Sequence, residues 1–334
     1  MYMAPHADHA LSGTQAPGVL PKIIIRFAGR FMRPADALAY LLTLAAASAI
    51  FAIVVIIVYQ LVAGSVLSRH TFSWNFLVTS VWDPIAGRFG ALPFIYGTVM
   101  TAMLSLLIAI PVGLGTAIFL AEQAARRVSD VLTFLVELLA AVPSVIYGLL
   151  GIFILVPILE TYIVPPLQAV FGFLPIFSGT FYGVSIFSAG IVLSVMIVPF
   201  IVSVGREVLL SVPAYLREGS FALGATPWQT ISRVIVPYAR RGIYGSIFLA
   251  LARALGETMA VTMVIGNTPQ IKASLLAPGY TIAAVIANEF TEATGELYLS
   301  SLVELGLVLF AVTFVLNGLA RLMLIGASKG GKEV

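Results

Sequence analysis

The sequence predicts an all-α membrane protein with six transmembrane helices. Of its 334 residues, 60% are hydrophobic and only 10% are charged, and the mean hydropathy is +1.05. An ordinary soluble domain carries about 25% charged residues. The chain has no cysteine and only three histidines, at His6, His9 and His70. This composition excludes disulfides and thiolate metal sites, and we expect no metal centre.

Six segments are long and apolar enough to cross a hydrocarbon core about 30 Å thick. They are residues 37–67, 94–121, 131–159, 183–205, 242–266 and 297–320. A seventh uncharged stretch, 161–182, contains three prolines. We interpret it as a connector on the outer side of the membrane that is partly embedded.

Positive charge gives the orientation, because cytoplasmic loops are enriched in Lys and Arg. With six spans and an inner N-terminus, the inside residues are Lys22, Arg26, Arg30, Arg33, Arg126, Arg127, Arg206, Arg217, Arg233, Arg240, Arg241, Arg321, Lys329 and Lys332. The outside residues are only Arg69, Arg88 and Lys272. A seventh span at 161–182 would place the arginine-rich loop 206–241 outside, so we reject it.

The predicted organisation has four parts. Residues 1–36 form a cytoplasmic tail that is partly disordered, and residues 37–67 form the first transmembrane helix. Residues 94–320 form a core of five transmembrane helices that includes the cytoplasmic loop 206–241, and residues 321–334 form a second cytoplasmic tail. Both termini are therefore expected inside.

The fifth segment carries two charges, Arg253 and Glu257, spaced by one helical turn. An arginine at the centre of a spanning helix costs about 2.5–3.5 kcal/mol on insertion scales, and such residues mark substrate paths. Its planar fork of donors suits a carboxylate or a phosphate. We therefore favour a role for both residues in a pathway or gate. The alternatives are that they neutralise each other, or that Arg253 pairs with Glu137 or Glu304 on another span.

Loop 206–241 predicts a hairpin of two short helices. Ser211 is expected to cap the first helix, and Gly224 to end it in the left-handed conformation. Thr226 and Gln229 are spaced as a capping box that begins the second helix, and Pro237 is expected to end it. A hairpin with exposed apolar residues such as Trp228 either docks a protein or lies on lipid headgroups, and the well-defined turn favours docking.

The same loop resembles the "EAA" motif of ABC importer permeases. Glu218, Gly224 and Pro237 have the spacing of that motif, whereas Gly219 and Ser220 replace its two alanines. Val234 and Val236 replace its Ile and Leu. The resemblance implies a coupling helix, with Glu218, Gly224, Trp228 and Pro237 contacting an ATP-binding subunit.

Two further strings resemble the permeases of bacterial phosphate-specific ABC importers, the first in its PstC-like form and the second in both the PstC-like and the PstA-like form. Residues 252–267 read ARALGETMAVTMVIGN, and residues 139–149 read LAAVPSVIYGL. The resemblance extends from about residue 94 to the end of the chain and implies the type I ABC importer permease fold. In that setting Arg253 would bind phosphate oxygens, and Glu257 would accept a hydrogen bond from the phosphate hydroxyl, which sulfate lacks.

The resemblance also implies partners. These are a second, PstA-like permease, a dimeric PstB-like ATP-binding subunit, an extracytoplasmic PstS-like phosphate-binding protein, phosphate itself and membrane lipid, without nucleic acid. Residues 326–332, GASKGGK, match the start of a Walker A motif, but Glu333 follows instead of Ser or Thr. We therefore expect a non-catalytic permease of the bacterial inner membrane, with no cofactor in this chain and with ATP and Mg²⁺ bound by its partners.

Two alternative functions remain open at this point. One is a permease of the same family for another oxyanion, such as molybdate or phosphonate. The other is an ion-coupled secondary transporter, which would leave the capped hairpin unexplained.

Overall fold

The computed structural model describes residues 34–329, and it gives side-chain environments for residues 38–322. The tail predicted at residues 1–36 lies almost wholly outside the described residues, as do residues 330–334 at the end of the second tail. The described residues form helices and loops without a named strand, with one isolated antiparallel bridge between Asp83 and Arg88. The predicted all-α class is confirmed.

Twelve helical runs and one short 3₁₀ turn, Pro175–Phe177, follow one another along the described chain. Their bounds are α1 Pro34–Gly64, α2 Val66–Phe72, α3 Asn75–Val78, α4 Leu92–Gln123, α5 Arg126–Ala141, α6 Ser144–Phe171, α7 Ile186–Leu210, α8 Ala214–Ala222, α9 227–256, α10 Met259–Val264, α11 Ile282–Glu289 and α12 Glu296–Lys329. Runs α4, α6 and α9 contain π-helical turns, including Phe119–Gln123 in α4 and Ile231–Ile235 in α9.

The chain divides into two units, one up to Val58 and one from Tyr59 onward. In the first unit, α1 is apolar on every side, and nearly all of its described side chains are exposed. A helix that is apolar all round and uncovered by protein is typical of a segment surrounded by lipid.

In the second unit, α7 is the central helix. It is the most buried of the long apolar helices, and it packs against α4, α5, α9 and α10. Large side chains such as Leu193, Ile197 and Ile201 are fully buried along it. Helix α12 packs against α2, α9 and α11.

Five runs in the described part are long and apolar enough to cross a membrane, namely α1, α4, α6, α7 and α12 up to Leu322. The predicted third span, 131–159, is wrong in its position. Val142 and Pro143 are extended, so α5 ends at Ala141 and a new helix begins at Ser144. Proline has no N–H to continue a helix, and it biases the preceding residue toward extended backbone. The long apolar helix α6 therefore includes residues 161–171, which the sequence had assigned to a connector.

The predicted fifth span, 242–266, is not one continuous helix. Run α9 ends at Gly256, Glu257 is extended with ψ 124°, and α10 begins at Met259. The uncharged part of α9 is too short to cross the hydrocarbon core alone. This apolar segment is therefore a broken helix, and the count of six spans stays a prediction.

Candidate functional site

The break after α9 separates the two charges that the sequence placed on one helical turn. Arg253 lies in the last turn of α9, whereas Glu257 lies in the extended segment beyond it. The Glu257 carboxylate accepts a hydrogen bond from the backbone N–H of Ala260 at 3.2 Å. It therefore satisfies an unpaired donor in the first turn of α10, as a capping residue does. Mutual neutralisation of Arg253 and Glu257 is wrong for this structure, because the break turns the carboxylate toward α10.

Arg253 makes no ion pair within the described chain, where the pairs are Arg206–Glu207 and Arg217–Glu122. The Arg253 side chain is exposed, and its guanidinium carbon lies 6.0 Å from the centre of the Phe200 ring on α7. Tyr147 of α6 also lies within electrostatic range of the Arg253 charge. An exposed arginine in a broken membrane segment faces a cavity or another subunit, because facing lipid would be too costly.

Helices α6 and α10 pack closely, and this contact positions Tyr147 near the break. Gly148 is where they meet: a Cβ added there would lie 2.6 Å from the Met263 sulfur and 3.2 Å from the Ala260 Cα. The Tyr147 hydroxyl donates to the Leu139 carbonyl at 2.7 Å, across the break between α5 and α6. Tyr147 thus bridges the break between α5 and α6, next to the contact of α6 with α10. The string that contains Tyr147 was recognised in the sequence, but Tyr147 was not identified as a site residue.

The two other acids proposed as partners of Arg253 lie beyond ion-pair distance from it. Glu137 is exposed on α5, a helix separated from α6 by the Pro143 break. Glu304 on α12 is only 5% exposed, lies near Ser68 and Arg69, and has one carboxylate oxygen without a hydrogen-bond partner. Neither acid forms an ion pair with Arg253 among the described residues, and their supporting role stays a prediction.

The hairpin of loop 206–241 is present, with two corrections. Gly224 has φ +82° after α8, as predicted for a helix-ending glycine. Thr226 and Gln229 form the capping box, with a Gln229 N to Thr226 Oγ1 distance of 3.3 Å and a Thr226 N to Gln229 Oε1 distance of 2.9 Å. Ser211 does not cap α8: its hydroxyl donates to the Val208 carbonyl at the end of α7, and Pro213 precedes α8.

Pro237 does not end the second helix. The π-helical turn Ile231–Ile235 precedes Val236 and Pro237, and helix continues to Gly256. Proline is tolerated in the first turn of a helical segment, where no N–H is required. The consequence is that α9 begins in the hairpin and ends beside Arg253. At about 1.5 Å per residue, Trp228 and Arg253 lie roughly 37 Å apart along one helix.

The hairpin presents an open apolar surface. Leu223 is 91% exposed and Trp228 is 63% exposed, and Glu218 is exposed beside them. A cleft of about 550 Å³ lies between the two helices, lined by residues that include Tyr215, Gly224 and Arg233. Single exposed apolar residues are common, but a cluster of exposed apolar residues with polar residues around it marks an interaction site.

A second polar cluster joins the loop before α4 to α11 and α12. The Glu289 carboxylate accepts hydrogen bonds from Trp82 Nε1 at 2.8 Å and from the Tyr298 hydroxyl at 2.6 Å. Nearby, Asn288 donates to the Tyr280 hydroxyl at 3.0 Å, and burial raises the pKa of Tyr280 to about 12. Tyr280 therefore stays neutral at physiological pH. Sequence spacing gave no signal for the contact with Trp82, because Trp82 is distant from Glu289 along the chain.

Comparison with known proteins agrees with this architecture. Residues 109–324 match the family described as binding-protein-dependent transport system inner membrane component. A solved structure of the MetNI methionine ABC transporter in an inward-facing conformation aligns with a TM-score of 0.50 and 17% identity, covering 72% of this chain and 98% of that one. That likeness shows the fold, a type I ABC importer permease fold.

Several relatives carry the name phosphate transport system permease protein PstC. The protein from Mesorhizobium japonicum is 46% identical, covering 86% of this chain and 90% of the relative. The protein from Xylella fastidiosa strain Temecula1 is 43% identical, covering 93% and 98%. A probable PstC from Methanocaldococcus jannaschii is 36% identical, covering 83% and 90%. The chain, an integral membrane protein with a broken helix and a capped hairpin, therefore belongs to the family of binding-protein-dependent transport system inner membrane components.

Proposed function

We propose that this chain is the permease subunit of an ATP-driven importer that moves inorganic phosphate across the bacterial inner membrane. The observation that carries the proposal is the set of PstC-named relatives, which match most of the chain at 36–46% identity. The site supports it, because an unpaired, exposed arginine at a helix break is suited to an anion.

The phosphate path passes Arg253 at the junction of α9 and α10. Arg253 offers a bidentate, charge-assisted contact to phosphate oxygens, and no acid among the described residues pairs with it. One carboxylate oxygen of Glu257 accepts the hydrogen bond from the Ala260 N–H, which leaves the other oxygen as an acceptor for the phosphate hydroxyl. Tyr147 lies within electrostatic range of Arg253, and we expect it to contribute to the same part of the path.

The hairpin of α8 and the start of α9 is the coupling element. Leu223, Trp228 and Glu218 contact an ATP-binding subunit, and Gly224 and Pro237 shape the surface that they share. Since α9 is continuous from the hairpin to Arg253, closure of two ATP-binding subunits moves the helix that carries Arg253. This motion switches the spans between outward- and inward-facing states.

The remaining parts of the complex follow from the same assignment. A second, PstA-like permease covers the exposed side of Arg253, and a phosphate-binding protein delivers the substrate from outside. ATP and Mg²⁺ bind to the PstB-like subunits, and this chain contributes no catalytic residue. Both termini and the hairpin lie on the cytoplasmic side, as the distribution of Lys and Arg predicts.

Copurification followed by an ATPase assay tests the proposal. We expect the chain to copurify with an ATP-binding subunit, and phosphate with its binding protein to stimulate ATP hydrolysis in proteoliposomes. Stimulation by molybdate or a phosphonate instead would assign the chain to another oxyanion. Uptake that persists without any ATPase subunit would indicate an ion-coupled secondary transporter.

A further inference from the structure

The coupling hairpin is attached to the spans by one guanidinium group as well as by the chain itself. Arg217 of α8 donates from Nη2 to Glu122 Oε1 at 2.7 Å and from Nε to Glu122 Oε2 at 3.1 Å. Both side chains are largely buried, at 21% and 9% exposed. Bidentate pairs of this kind are the strongest and most directional ion pairs in proteins.

The same guanidinium also holds the end of α7. Its Nη2 donates to the Leu209 carbonyl at 2.9 Å, and its Nη1 donates to the Val212 carbonyl just after that helix. Leu209 lies in the last turn of α7 and Val212 lies two residues beyond it, and a cation at a helix C-terminus is favoured by the helix dipole. Arg217 therefore links its own helix α8 to the end of α7 and to the π-helical turn of α4 that contains Glu122.

This arrangement differs from a surface ion pair. Arg206 and Glu207 are adjacent on α7, and Glu207 is 72% exposed, so their contact ties the helix only to itself. Exposed pairs of that kind contribute little. Arg217 and Glu122, in contrast, are distant in sequence and lie on different helices. A displacement of α8 cannot leave α4 behind without breaking two charge-assisted hydrogen bonds in a buried site.

We infer that Arg217 and Glu122 form a latch that transmits movement of the coupling helix α8 to α4 and to the end of α7. Helix α9 receives the same movement through its unbroken backbone. The latch makes α4 and α7 move together with α9. The inference rests on the proposed role of the hairpin, and it assigns Arg217 and Glu122 as positioning residues that touch neither phosphate nor ATP.

The test uses the complete importer in proteoliposomes and measures two rates, ATP hydrolysis and phosphate uptake. The variants are Glu122→Gln, Arg217→Gln and the double variant, with Glu207→Gln as a matched loss of an exposed carboxylate. Because a coupling residue acts through helix movement, we expect each single variant to keep basal ATP hydrolysis and to lower uptake by about tenfold. The double variant should be no worse than the poorer single variant, because both remove one contact. Glu207→Gln should stay within about twofold of wild type.

Several results would overturn the latch. These are uptake by the single variants equal to that of wild type, a parallel loss of hydrolysis and uptake, or multiplied effects in the double variant. If Glu122→Gln does not assemble, Arg217→Lys keeps the charge but not the fork and should assemble with reduced uptake. If neither Glu122→Gln nor Arg217→Lys assembles, the contact between the two residues is purely structural, and this result would also overturn the inference. A wild-type complex without ATP-driven phosphate uptake contradicts the proposed function instead, so the two claims are separable.

Discussion

The carboxylate of Glu257 accepts the backbone N–H of Ala260 at 3.2 Å, although Arg253 precedes it by only one helical turn in sequence. The extended backbone at Glu257 makes this possible, since it turns the side chain toward α10. The acid thereby stabilises the start of α10, and Arg253 has no ion-pair partner in the part of the chain that the structure describes. Irregular backbone at membrane depth is tolerated where it lines a cavity, which is where transport sites are built.

Replacement of Glu257 by glutamine tests whether its free oxygen recognises the phosphate hydroxyl. The amide oxygen of glutamine still accepts from Ala260, so we expect the complex to assemble normally. The new NH₂ group offers donors instead of an acceptor, so the ratio of phosphate to sulfate uptake should fall by about tenfold or more. Glu292→Gln, an exposed acid in the α11–α12 loop, is the matched control. An unchanged ratio in Glu257→Gln would reduce the role of Glu257 to capping.

The close packing of α6 on α10 predicts that a larger residue at Gly148 destabilises the contact and that a second substitution restores it. A Cβ at this position meets the Met263 sulfur at 2.6 Å, so Gly148→Ala should overpack the contact by about 1–3 kcal/mol. We expect a lower midpoint of thermal unfolding for the purified complex and slower phosphate uptake. Met263→Ala should restore much of both in the double variant, since it removes the clashing atoms. Equal defects in the single and double variants would contradict this account of the contact.

The capping box gives a third prediction, on the stability of the hairpin. Thr226→Ala removes the acceptor for the Gln229 N–H, and loss of such a cap costs about 1 kcal/mol. We expect faster hydrogen exchange of the amides that begin α9. Ser232→Ala is the control, because its hydroxyl only bonds the Trp228 carbonyl within the helix. Exchange that is equally fast in the two variants would show that the capping box does not hold the hairpin.

The sequence predicted much of this fold because membrane helices are selected by hydropathy. Four of the predicted spans overlap α1, α4, α7 and α12, with ends shifted by a few residues. Hydropathy did not locate the breaks at Pro143 and Glu257, because the hydropathy of an apolar segment is the same whether or not the helix is interrupted. Pro237 was predicted to end a helix, but the helix continues through it, whereas the predicted span 131–159 is interrupted at Val142 and Pro143.

The site was predicted less completely than the fold. Arg253 was identified because a charge in an apolar run is conspicuous, and the capping box of Thr226 and Gln229 was identified from local spacing alone. The Arg217–Glu122 pair and the Glu289 cluster depend on contacts between residues far apart in the chain. In the sequence these residues look like ordinary polar residues, so only the three-dimensional structure shows that they contact one another.

Uptake of radiolabelled phosphate by proteoliposomes that contain the complete importer tests the central claim most directly. Wild type should accumulate phosphate only with ATP and the phosphate-binding protein present. Arg253→Gln should assemble and hydrolyse ATP, yet transport at least about tenfold more slowly, because a bidentate charged contact is lost. Arg241→Gln, an exposed arginine on the same helix, should transport like wild type. Phosphate uptake by Arg253→Gln at the wild-type rate, or wild-type uptake without ATP, would contradict the account.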